Sequence, residues 1–283
     1  MAARVQEGER AKGKSDFWGY VWPGAAGEGL TCNALEWQAA EAGGRIIEAD
    51  DTISVNNPNT IRAWQRAAHW IGTISSPNVI SYQEWEAVNA FYSGKAAFFR
   101  GWASSYFLAV EAEANPAIRD TAKIDSSKIG IIAIPSGKGG QAATLGGFGL
   151  GVSQSTVHSA DALKFVRFLL QREIQSETAN AHSAPPKGSA GYVEPLILNS
   201  RSSAIQLGRG SNVVNRPSNL VGQKYDDVDR AYIEAVHSVL SGKSRAPEAA
   251  SELEKKLVQI TGFKVGPPHQ MDNIGDGHTK TEP

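Results

Sequence analysis

FYSGKAAFFRGW, residues 91–102, is the stretch from which the rest of the chain is read. From Tyr82 to Phe91 apolar residues recur at three- and four-residue spacing, which predicts an amphipathic helix. Gly94 falls where a helix end calls for a left-handed residue, and Lys95 suits the negative end of the helix dipole. Ala96-Ala97-Phe98-Phe99 is a short apolar run that predicts a strand buried on both faces. Arg100-Gly101-Trp102 breaks that run, so an indole is delivered at the carboxyl end of a strand, where open α/β sheets hold their ligands. A single Trp is ordinarily core. It also offers a flat apolar face against which a sugar ring can lay its C–H groups, and both readings stand at this point.

Working outward, strands and helices alternate. Residues 16–22 (DFWGYVW) predict a strand, and the loop 23–27 leads through Glu28-Gly29-Leu30 into a helix that turns Leu30, Ala34, Leu35 and Trp37 inward and stops at Gly43-Gly44. A short strand is expected at 45–48, and a helix at 59–72 with Ile61, Trp64, Ala68 and Ile71 on one face. Further strands are expected at 128–135 and, glycine-dense, at 144–152, with a helix at 106–115 between. Helices follow at 159–177, 192–207, 226–241 and 247–260, the last with a Pro near its start and Gly262 past its end. This alternation places the chain in the α/β class. Trp64, Trp70 and Trp85 are assigned to the core.

With 283 residues the chain can bury a sizeable core. Lys plus Arg number 28 and Asp plus Glu 29, a net charge of −1, so the electrostatic footprint of a nucleic-acid binder is missing. The balance favours a small uncharged ligand or another protein as partner. One cysteine, Cys32, allows neither an intrachain disulfide nor a thiolate metal site, and the six histidines show no ligand spacing. No metal, cofactor or catalytic residue is therefore assigned. Residues 136–140 (SGKGG) lack the frame of a phosphate-binding loop, and 146–151 (GGFGLG) lack dinucleotide spacing. Glu84/Glu86 and Glu111/Glu113 fall on expected surface helices, where solvation explains them better than glycosidase chemistry. Residues 1–10 contain no apolar run of a signal peptide, so the expectation is either a cytoplasmic protein or a chain that starts partway through a longer one.

Five stretches then resemble the extracellular solute-binding proteins of carbohydrate ABC importers, close to the trehalose/maltose branch. They are Tyr20-Val-Trp-Pro with Glu28 to Glu36, Gly94 to Trp102, Ile129 to Pro135, Leu145 to Gly151, and Arg216-Pro-Ser218, in the family's order. The resemblance implies a class II periplasmic-binding-protein-like fold, two α/β lobes with a di- or oligosaccharide in the cleft between them. It implies one near-complete C-terminal lobe here and a remnant of the N-terminal lobe. Residues 1–146 would be the first pass through the C-terminal lobe, 147–200 the remnant, 201–264 the return and 265–283 a disordered tail. It implies that Trp102 stacks on sugar, that Gly146, Gly147 and Phe148 line the cleft, and that Arg216 bonds hydroxyls, with Glu28 and Trp22 in the matching aromatic loop. The implied partners are the sugar and the membrane-spanning permease, in the periplasm or outside the cytoplasmic membrane. The expectation is thus a truncated product or mis-called start carrying half a site, with the 159–177 helix left with an exposed apolar face. Two other readings are weighed: a carbohydrate-active enzyme using the same aromatic cleft, and an interaction protein that docks through that helix.

Overall fold

The computed structural model describes residues 1–102, 105, 128–146, 150–175 and 212–269. Helix α1 (Ala2–Ala11) precedes strand β1 (Trp18–Val21), and the loop after Val21 enters helix α2 (Glu28–Ala40). Strand β2 (Thr52–Ile53), helix α3 (Pro58–Trp70), a 3-10 turn (Pro77–Ser81), helix α4 (Glu84–Tyr92) and strand β3 (Ala96–Phe99) complete the first hundred residues. Strand β4 (Ala142–Thr144), helix α5 (Ser159–Leu169) and strand β5 (Asn212–Val214) follow. A short helix α6 (Ser218–Val221), the long helices α7 (Tyr225–Leu240) and α8 (Ala246–Thr261), and strand β6 (Lys264–Val265) end the described chain.

Among the described residues the strand pairs are parallel, as the α/β reading leads one to expect: β1 with β3, β2 with β6, and β4 with β5. Trp18 stands opposite Ala96 and Val21 opposite Phe99, so the carboxyl ends of β1 and β3 finish together. Helix α2 is the centre of the packing. Every residue from Leu30 to Ala40 is buried, the signature of a helix enclosed on all sides. Its neighbours are α3, α7 and β4. Trp64 of α3 meets Tyr232 of α7 edge-on, ring centroids 5.8 Å apart, and the Tyr232 hydroxyl donates to Gln38 Oε1 at 2.9 Å. Each such ring contributes about 2–3 kcal/mol through the area removed from water.

Local signals explain the boundaries. The Asn57 side chain accepts from the amides of Asn59 and Thr60 and so caps α3, with Pro58 at the first helical position. Gly94 (φ +71°) and Gly262 (φ +79°) take left-handed conformations just past α4 and α8.

Several expectations fail for stated reasons. β3 is not buried on both faces: Ala97, Phe98 and Phe99 are half-buried, because this two-stranded sheet leaves one side open. The run at 128–135 forms no strand, for no described strand lies alongside it, and Ile132 is 68% exposed. Strand β4 stops at Thr144, short of the glycines, and the strand expected at 45–48 is a bend preceding β2. Trp85 is 62% exposed and so is not core: it sits in the first turn of α4, which buries Ala87 and Val88 instead. Of the expected tail, Val265 belongs to β6 and pairs with Ile53, while residues 270–283 lie outside the described residues. Helix α5 runs to Leu169, helix resumes over residues 172–175, and 176–177 lie outside the described residues; Phe165, Phe168 and Leu170 are exposed, as expected for this face. The expected helices at 106–115 and 192–207 lie outside the described residues.

Candidate functional site

The site is built where the ends of β3 and β4 meet α2. After Phe99 the ladder continues by one bond, the Arg100 amide donating to the Val21 carbonyl at 3.0 Å. The Arg100 side chain turns inward and grips Glu36 of α2 with a fork, Nε to Oε2 at 3.0 Å and Nη2 to Oε1 at 2.6 Å. The same Oε1 accepts the Thr144 amide at 3.0 Å, and the Thr144 hydroxyl donates to the Cys32 carbonyl at 2.9 Å. One buried carboxylate therefore joins the ends of β3 and β4 to the helix. Burial works against the charge on Arg100, but Glu36 outweighs it and holds the guanidinium protonated.

Trp102 emerges from this base half-exposed, with the Arg100 guanidinium 4.3 Å from its ring centroid. Gly146 meets the indole on its six-membered ring: a Cβ at position 146 would come within 2.5 Å of it. Arg216, just after β5, reaches the same place, donating through Nη2 to the Leu145 carbonyl at 3.4 Å and ion-pairing with Glu28 in the first turn of α2. Trp102, Gly146, Arg216 and Glu28 thus occupy one neighbourhood. Gly147 and Phe148 lie outside the described residues.

Trp22 is a correction. It is 0% exposed, packs edge-on against Trp37 with centroids 4.9 Å apart, and donates its indole N–H to the Ser75 hydroxyl at 3.2 Å. A ring fully enclosed with its donor engaged is core, so it leaves the candidate set.

The sequence reading missed the groups beneath. Thr31 donates to Asp229 at 2.7 Å, and burial raises the Asp229 carboxyl above its ordinary range despite that bond and nearby Arg216. Tyr225, also close to Arg216, is pushed up to about 12, chiefly by burial, and its hydroxyl finds no partner among the described residues. Each partner of the Arg100–Glu36 pair has a local mark, a guanidinium directly after an apolar strand and a carboxylate within the enclosed part of α2, but nothing local pairs them.

The profile of the bacterial extracellular solute-binding protein family matches residues 8–176. The chain belongs to that family. A Deinococcus radiodurans protein described as an ABC transporter-binding protein is 37% identical over 264 residues, 93% of this chain and 60% of that protein. Among solved structures, maltose-bound MalE3 of T. maritima superposes with a TM-score of 0.74 at 25% identity, covering 92% of this chain and 63% of that one. A solute-binding protein from Thermotoga lettingae, bound to α-D-tagatose, gives a TM-score of 0.74 at 23% identity, covering 88% and 61%. The fold of this family member is therefore the class II periplasmic-binding-protein fold, and the chain spans about 60% of the length of these relatives.

Proposed function

We propose that this chain supplies one wall of the cleft in which the substrate-binding component of a sugar ABC importer holds a di- or oligosaccharide of the maltose or trehalose type. The observation that carries the reading is the half-exposed Trp102 indole, backed by Gly146 and flanked by Arg216. A flat apolar face takes the C–H side of a pyranose, and a guanidinium with spare donors takes its hydroxyls. The maltose bound to MalE3, a structural neighbour at 25% identity, agrees with this class of ligand. In this reading residues 1–146 and 201–264 belong to the C-terminal lobe and 147–200 to the N-terminal one. The loaded protein works outside the cytoplasmic membrane and presents its sugar to permease subunits, with no cofactor.

Binding without bond cleavage fits the carboxylates better than hydrolysis does. Glu36 and Glu28 are each engaged by a guanidinium, so the raised carboxyl of Asp229 has no second free carboxylate among those described at the site, and hydrolysis calls for a pair. The test is saturation-transfer NMR with the 283-residue chain and maltose, trehalose or maltotriose. Transfer to ring C–H protons at millimolar sugar, lost in Trp102→Ala, is expected. No transfer from any of the three sugars would sink the reading, and micromolar affinity would sink its one-wall part.

A further inference from the structure

We propose that Arg100 and Glu36 are positioning residues for the sugar site: the buried pair sets the tilt of Trp102 and its spacing from Gly146. This inference rests on the functional reading above. Arg100 is 7% exposed, so its guanidinium is too enclosed to meet a sugar itself. What it meets is the Trp102 ring, at 4.3 Å from the centroid. A forked guanidinium–carboxylate pair fixes a plane, which a lysine in the same place would not do. The two bonds to Glu36 lock that plane, and the ring stacked on it inherits its orientation.

The other half of the platform refers to the same carboxylate. Glu36 Oε1 holds the Thr144 amide at 3.0 Å, two residues before Gly146, whose backbone lies against the indole. Glu36 is thus the common reference for the ring and for the surface that backs it. Stability alone gives no reason for the arrangement, since a buried ion pair is often no better than apolar residues of the same volume. Arg100 Nη1, moreover, has no partner among the described residues. A group retained at that cost in desolvation is explained by the geometry it imposes on its neighbour.

The test uses the 283-residue protein labelled with 5-fluorotryptophan, with the Trp102 fluorine resonance assigned through Trp102→Phe. Three variants are compared without ligand: Arg100→Lys, Arg100→Met, and Arg100→Met with Glu36→Gln, which removes both charges but keeps an oxygen for the Thr144 amide. The expected result is a shifted and broadened Trp102 resonance in the two Met variants, a smaller shift with Lys, and six other resonances in place. Maltose affinity should fall about tenfold in the charge-free double variant. A stationary Trp102 resonance, an unchanged maltose affinity, or collapse of all three variants, which would assign the pair to folding, overturns the proposal. Failure of the unsubstituted protein to bind any sugar would sink the functional reading alone, because the resonance comparison needs no ligand.

Discussion

At Gly146 the missing side chain decides how near the backbone comes to Trp102. Its φ is not in the left-handed region, so Gly146→Ala costs little in backbone terms and acts by pushing the ring aside. We expect maltose affinity to drop about tenfold, or ~1.4 kcal/mol, with the unfolding midpoint nearly unchanged, as titration and urea melts would show. Cys32 offers a second residue-scale outcome. Burial raises its thiol from 9.0 to about 12. The unfolded chain therefore loses this proton first, and the contribution to stability is full below pH 9 and declines as pH rises toward 12. Urea midpoints measured from pH 8 to 11 should fall, with a slope of at most ~1.4 kcal/mol per pH unit from this group, and less steeply in Cys32→Ala. Trp102, Gly146 and Arg216, which the family resemblance named, come together in the fold, and their role toward sugar is the proposal above. The pairing of Arg100 with Glu36 was not legible in the sequence, because they stand 64 residues apart and only the fold brings them together. Trp22 misled for the converse reason: a strand-end aromatic looks the same whether solvent or Trp37 waits beyond it.

Helix α3 carries the plainest end signal. Asn57 caps α3 and also donates to the carbonyls of Gly43 at 3.0 Å and Ser54 at 2.6 Å. Asn57→Ala removes the cap and leaves the Ser54 carbonyl short of its donor, while Thr60 and Gln38 still reach that of Gly43, so a loss of about 2–4 kcal/mol is expected in chemical denaturation. Gly262→Ala, which forces a Cβ into a left-handed turn, should cost about 1 kcal/mol. A loss for Asn57→Ala no larger than that for Gly262→Ala would show that the buried amide bonds count for little. Helices α3, α4, α7 and α8 were legible in the sequence because their periodicity and end signals agree. Strands were harder: the Ile-rich run at 129–134 has the composition of a strand, but strand formation depends on a neighbour that local sequence does not name.

Across the whole molecule, apolar surface is distributed unevenly. Phe165, Phe168 and Leu170 of the α5 region stand in solvent while the α2–α3–α7–α8 core is closed. A dye that reports exposed apolar surface should therefore brighten on the native protein, and Phe165→Gln with Phe168→Gln should remove most of that signal. An unchanged signal would place the accessible patch elsewhere. The closure of the core has a consequence in time as well as space. Leu30, Leu35 and Trp64 precede Tyr232, Leu253 and Leu257 in the chain, so they are synthesised well before the residues that help to cover them. Until those helices emerge, the nascent polypeptide holds its greasiest surface uncovered, and a stop codon placed before residue 225 should yield a product that depends on chaperones or precipitates.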